Sequence, residues 1–178
     1  MSNKCYPFLG KFVVTSPFGP RSSTETYVSR NHKGIDLVSQ GSKTVVSVTD
    51  GVVKRVTSQS AYGNYVWVEN NDGTGAIYCH LSSFLCKVGQ TVTCKTPIGI
   101  EGSTGNSTGS HLHFGISTCK DYSETHIRDS WFNPAIYFGI NNYTASKLKG
   151  MVFDGSGMIE GMSSGVYSTN QSSSSSNT

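Results

Sequence analysis

The sequence predicts a mainly β fold, and three observations predict it. Twenty glycines in 178 residues supply frequent turns. Short runs rich in valine, tyrosine and phenylalanine lie between those turns. No long segment carries the 3.6-residue apolar period of an amphipathic helix. A chain of this length fits one domain with a substantial core, plus an appendage.

The elements follow in order. Lys11-Phe12-Val13-Val14-Thr15 is strand-like and runs into the turn Ser16-Pro17-Phe18-Gly19-Pro20. A polar loop, 21–31, leads to His32. Val45–Val48 and Val52–Val56 flank Asp50-Gly51, a pattern that predicts a β-hairpin. Tyr65–Glu69 alternates cleanly and is closed by the turn 70–73, with Gly75–His80 as its expected partner. A further hairpin is expected between Gly89 and Gly99. The glycine-rich loop 102–109 delivers His111–Ile116, expected to be the final core strand.

After residue 140 the composition changes. Glycine and methionine are scattered over 140–162, and 163–178 contains eight serines, five of them consecutive. That is linker composition. The expected organisation is a folded domain over 1–140 and a Gly/Ser-rich tail or linker over 141–178.

Charge excludes some classes of function. Net charge is +3 with only 14% charged residues, so no basic block points to nucleic acid. A mild positive balance suits an anionic polymer such as a bacterial wall. No stretch approaches the ~18 apolar residues of a membrane span. Pro7 and Lys11 interrupt any signal-peptide apolar region, so no signal peptide is visible.

Five cysteines (Cys5, Cys79, Cys86, Cys94 and Cys119) with no CxxC pair indicate neither a full disulfide framework nor a zinc knuckle. Strand alternation places Cys79 on the face opposite His80, as a small buried hydrophobe. A Cys86–Cys94 bridge across a short hairpin is sterically open.

Four of the five histidines fall into three short motifs: His32-Lys33-Gly34-Ile35-Asp36, Tyr78-Cys79-His80-Leu81 and His111-Leu112-His113-Phe114. Neutral imidazole and carboxylate suit zinc, and a catalytic zinc takes three protein ligands and keeps one position for water. Two histidines then remain for proton transfer. His111 and His113 are two apart on a strand, so both face one side, about 6.6 Å apart. Gly34 permits a close-packed backbone between His32 and Asp36. Two neutral histidines and one aspartate leave zinc with net positive charge, which acidifies bound water and polarises a carbonyl. That chemistry is amide or ester hydrolysis. His126 lies outside the pattern and reads as structural or exposed.

From about Thr15 to Tyr137 the chain resembles the M23 (lysostaphin/LytM-type) zinc metallopeptidases, which cut peptide bonds in peptidoglycan. The matching stretches are Thr15–Arg21, His32–Asp36, Asp50–Val53, Tyr62-Gly63-Asn64, Tyr78–Leu81, Gly99–Gly105, Gly109–Phe114 and Asn133-Pro134. The resemblance implies His32, Asp36 and His113 as ligands of Zn2+. It assigns His80 and His111 to proton transfer and transition-state stabilisation. Apart from the resemblance, Tyr27 in the first loop is a candidate for a further donor. The resemblance also implies an antiparallel β-sheet (duplicated hybrid motif) fold with the zinc in a groove. Loops 21–31, 57–64, 82–88 and 102–110 are the expected walls. Cys79 departs from the family, which usually has a small residue such as alanine there.

Two other classes share parts of the pattern. Relatives that have lost ligands act as non-catalytic scaffolds or wall-binding components, which the intact ligand set disfavours. A glucose-type phosphotransfer IIA module has a related β fold and an HxGID-like segment, but not the His111-Leu112-His113-Phe114 strand. The expected substrate is bacterial peptidoglycan, cut in the stem peptide or cross-bridge. The absent signal peptide, the serine-rich tail and unpaired cysteines point to a phage virion (tail) protein acting at infection; an extracellular wall enzyme is the other setting. The tail would join phage tail proteins or a larger parent chain.

Overall fold

The computed structural model describes residues 3–21, 31–122, 130–140, 142–159 and 166–168. Fourteen strands and two short helices follow in order: β1 (Lys11–Ser16), β2 (Gly19–Pro20), β3 (Asn31–His32), β4 (Ile35–Ser39), β5 (Thr44–Val46), β6 (Gly51–Gln59), β7 (Gly63–Asn70), β8 (Gly75–Phe84), β9 (Thr91–Val92), β10 (Pro97–Glu101), β11 (Leu112–Ser117), β12 (Trp131–Phe132), α1 (Pro134–Tyr137), α2 (Ala145–Leu148), β13 (Met151–Asp154) and β14 (Val166–Ser168). Twelve strands form one antiparallel sheet whose main path is β14-β13-β1-β4-β11-β8-β7-β6-β9. The fold is the expected mainly antiparallel β architecture.

Register sorts the side chains onto two faces. Val14 lies opposite Leu37, Leu37 opposite Leu112, Phe114 opposite Tyr78, and Tyr78 opposite Val66. These residues belong to the main core, which Phe8, Phe138, Leu148 and Phe153 complete. Each such side chain removed from water contributes roughly 1.5–3 kcal/mol. On the other face Asp36 lies opposite His113, and His113 opposite Cys79. That face carries a second, aromatic cluster built on Tyr65, Trp67, Ile77 and Cys79.

Two expected hairpins are replaced by long-range pairings. The 45–56 segment does form two strands, but β5 pairs with β10 and β6 with β7 and β9. The backbone between them bonds outward: the Ser47 and Val48 N–H groups donate to the Thr96 carbonyl and the Tyr78 hydroxyl. Likewise β9 and β10 meet different partners instead of each other. The β7–β8 hairpin forms as expected.

The expected end of the fold near residue 140 is also corrected. β13 pairs in register with β1, placing Phe153 opposite Phe12, and Phe153 is fully buried. A short apolar strand inside a glycine- and methionine-bearing stretch has little periodicity to reveal it. The serine-rich residues 169–178 lie outside the described residues. Cys94 is joined to Cys5, not to Cys86, whose thiol donates to the Ile98 carbonyl. No helix among the described residues is long and apolar enough to cross a membrane.

Candidate active site

Because Asp36 and His113 are cross-strand neighbours, their side chains rise together from the same face of the sheet. His32 reaches them from β3. The His113 Nδ1 lies 2.9 Å from Asp36 Oδ1, and the His32 Nε2 lies 3.1 Å from that oxygen and 3.0 Å from His113 Nδ1. Three ligands ~2.0 Å from one tetrahedral zinc sit about 3.3 Å apart, close to this spacing. The three atoms therefore converge on a volume that suits one metal ion.

Neighbouring groups aim these ligands. The His32 Nδ1–H donates to the Pro17 carbonyl at 2.8 Å, which turns the Nε2 lone pair toward Asp36 and His113. Arg21 holds Asp36 Oδ2 at 2.8 Å and leaves Oδ1 for the centre. Gly34 makes room: a Cβ there would lie 2.6 Å from His113 Cε1 and 2.5 Å from the Phe114 carbonyl oxygen.

His80 reaches the site by a backbone irregularity. Regular alternation from Tyr78 would send it into the core. Instead, Val66 lies opposite Tyr78 while Asn64 lies opposite Leu81, so Cys79 and His80 together face one residue of β7. This is a β-bulge, a device that re-aims a side chain. His80 adopts φ +64°, in the left-handed region that is unusual for a residue with a Cβ. The bulge returns Leu81 to the core and turns His80 into the groove. Cys79 is the expected buried hydrophobe, but it does not point away from the site: it lies on the Asp36–His113 face, beneath the aromatic cluster.

The two remaining imidazoles are each fixed through one nitrogen. The His80 Nδ1–H donates to the Thr104 carbonyl at 2.7 Å, and the His111 Nδ1–H to the Gly109 carbonyl at 2.8 Å. Their rings stand 4.7 Å apart, and the His111 Nε2 lies 3.8 Å from Asp36 Oδ1. Each keeps Nε2 for the groove, the arrangement a proton carrier needs.

Burial and neighbouring groups shift the ionisation of His32, Asp36 and His80. Burial lowers the His32 pKa and favours neutral imidazole. Burial opposes ionisation of Asp36, but the adjoining His113 and His32 rings outweigh it and hold the carboxyl far below the usual range. Burial, aided by the neighbouring His111 and His113, pushes His80 down to about 4 against the Thr104 hydrogen bond.

All five expected site residues line one groove of ≈ 340 Å³. Its walls differ in part from expectation. Ala61, Tyr62 and 106–108 contribute as expected, but no residue of 82–88 lines it; residues 82–84 are the end of β8, which pairs with β10. Tyr27, His126 and most of loop 21–31 lie outside the described residues. Trp131 lines the groove, and sequence reasoning missed it, because only the β11–β12 pairing carries it there. Arg21 sits inside a recognised motif, but nothing in the spacing of residues pairs it with Asp36.

The sequence profile of Peptidase family M23 matches residues 30–126, and the chain belongs to this family. Among curated relatives, an uncharacterized metalloprotease of Haemophilus influenzae is 39% identical over 132 residues, 72% of this chain and 26% of that protein. The peptidoglycan DD-endopeptidase ShyA of Vibrio cholerae is 36% identical over 112 residues, 62% of this chain and 26% of its own length. The match thus spans about a quarter of either relative. Among solved structures, the catalytic domain of the antimicrobial peptidase lysostaphin from Staphylococcus simulans aligns with a TM-score of 0.61 at 26% identity, covering 71% of this chain and 91% of that one. A zinc containing peptidase from Vibrio cholerae aligns with a TM-score of 0.59 at 29% identity, covering 74% of this chain and 39% of the other.

Proposed function

We propose that this chain is a zinc-dependent endopeptidase that hydrolyses peptide bonds of bacterial peptidoglycan, in the stem peptide or cross-bridge. The observation that carries the reading is the convergence of His32 Nε2, Asp36 Oδ1 and His113 Nδ1 within 3.1 Å of one another, beside two imidazoles fixed for proton transfer. Family membership and relatives named for metallopeptidase and peptidoglycan DD-endopeptidase activity support it.

His32, Asp36 and His113 would hold the zinc. A zinc so held supplies Lewis acidity for the scissile carbonyl and lowers the pKa of a water. Arg21 holds Asp36 oriented with one oxygen left over. His80, neutral through burial, accepts a proton from the attacking water at Nε2, while Thr104 holds its ring still. The proton taken by His80 passes across the 4.7 Å ring gap to His111 Nε2, which then hydrogen-bonds the developing oxyanion and delivers that proton to the leaving amine.

The setting belongs to the same proposal. The chain works at the bacterial wall, carried on a phage virion tail or within a larger extracellular wall enzyme. The mild positive charge and the serine-rich composition of 163–178 support this setting. A non-catalytic scaffold would not need a complete ligand set with both proton carriers. Incubation with purified cell walls tests the activity: new free amines should appear, and a chelator should abolish them. Walls left uncut by zinc-loaded protein would refute the reading.

A further inference from the structure

Glu101 is a buried acidic residue that the His/Asp cluster does not use. It is the last residue of β10 and only 2% exposed. Burying a carboxylate is costly unless its oxygens find donors. Here the Ser39 N–H donates to Oε2 at 2.9 Å, and the Ser110 Oγ–H donates to Oε1 at 2.7 Å. The Lys43 ammonium donates to the same Ser110 oxygen at 3.0 Å, which polarises that hydroxyl toward the carboxylate.

The two donors come from strands that part at this point. β4 and β11 pair from Ile35–Phe114 to Leu37–Leu112, where the ladder ends. Two residues on, the same register would set Ser110 opposite Ser39. The Glu101 carboxylate bonds both of them instead. The chain before β11 then turns to β10, and the His111 N–H donates to the Gly102 carbonyl at 3.0 Å. Gly102 is itself pressed on β8, since a Cβ there would lie 2.5 Å from the Ser82 nitrogen. Consecutive residues thus clamp Ser110 and His111, Glu101 by its side chain and Gly102 by its backbone.

Ser110 matters because of the peptide bond that precedes it. The carbonyl of that peptide belongs to Gly109 and accepts the His111 Nδ1–H at 2.8 Å. The Ser107 hydroxyl donates to the same oxygen at 2.8 Å. A shift of Ser110 therefore tilts the acceptor that keeps His111 Nε2 free for the groove.

We infer that Glu101 is a positioning residue: through Ser110 it fixes the Gly109–Ser110 peptide and so holds the His111 ring in its reacting orientation. The inference rests on the peptidase reading above. By parting the start of β11 from β4, Glu101 also keeps His111 beside His80. His113, two residues along the same strand, stays with Asp36 and His32. A link that merely tied β10 to β4 would be served as well by an apolar pair.

The test uses the zinc-loaded full chain, a synthetic crosslinked stem peptide and the variants Glu101→Ala, Ser110→Ala and the double variant. Each single change should lower kcat about 10–100-fold, the cost of a misplaced proton carrier, with KM and zinc content unchanged. The double variant should be no slower than Glu101→Ala, because both changes break one connection. Ser110 is exposed, so Ser110→Ala decides the matter if Glu101→Ala fails to fold. A Ser110→Ala protein with the full wild-type rate overturns the inference, as do losses that multiply in the double variant. A loss of kcat matched by a loss of zinc also overturns it, since Glu101 would then support the whole sheet. If wild type cuts nothing, the peptidase reading fails, and the imidazole nitrogen shifts of His111 decide the inference separately by NMR. At mildly alkaline pH, wild type should show one tautomer, protonated at Nδ1, and both single variants a mixture. Identical His111 shifts in wild type and the folded variants overturn it.

Discussion

His113 shows what a single residue must satisfy in this site. It is paired in register with Asp36, packed against Gly34, and within 3.0 Å of the His32 nitrogen. Replacing it with alanine should abolish zinc retention and leave the sheet intact, because its neighbours Leu112 and Phe114 carry the core contacts. Gly34→Ala is a subtler probe. The new Cβ must displace either the imidazole or the β11 backbone, so zinc affinity should fall at least about tenfold, within the range expected when a ligand's support is disturbed. Titration with a zinc-sensitive dye measures both. His111→Ala should bind zinc normally and lose most turnover, since His111 contributes no ligand atom to the cluster. The His/Asp pattern was legible in the sequence because strand alternation and short spacing keep each motif local. Arg21 and Gly34 take their roles from contacts with other strands, which spacing alone does not disclose.

At the scale of elements, two irregular features matter more than the regular strands. The Cys79–His80 bulge turns a residue that alternation would bury into one that faces the groove. The Tyr78–Leu81 motif marks His80 for the site, but strand alternation from Tyr78 points it into the core, and only the bulge reconciles the two. β13 is the second feature. Its Phe153 stacks on Phe12 with ring centroids 5.8 Å apart and has no exposure. Phe153→Ala should cost about 3–5 kcal/mol of stability, and a chain cut after residue 140 should lose more than that point mutant. Denaturant unfolding of the three proteins checks the order; a truncated chain as stable as the full one would return β13 to the status of an appendage. The strand partners of β5 and β10 were illegible for a related reason. Turn chemistry at Asp50-Gly51 suggested a local hairpin, while the winning hydrogen bonds came from residues about fifty positions away.

Across the whole molecule, the sheet separates two environments: a large apolar core on one face and the His/Asp groove with its aromatic cluster on the other. The mainly β class was legible because glycine-rich turns and short apolar runs are compositional. The two faces became legible only with the register. The core also sets the response to alkaline pH. Burial, reinforced by Tyr143, pushes the Tyr6 phenol up to about 12. An unfolded tyrosine ionises near 10, so the folded state holds its proton where the unfolded state has lost it. The stabilisation, roughly 2–3 kcal/mol, is fully present below pH 10 and is lost as pH rises through 12. Tyr6→Phe should therefore flatten the alkaline fall in thermal stability between these values, while an unchanged slope would assign that fall to other groups. Metal and groove define the remaining claim about the molecule as a whole.

Zinc content and amine release, measured on the same preparations of wild type and His113→Ala, address that claim most directly. The expected result is one zinc per wild-type chain with release of new amines from purified cell walls, and neither in the variant. Equal amine release by zinc-free His113→Ala would contradict it.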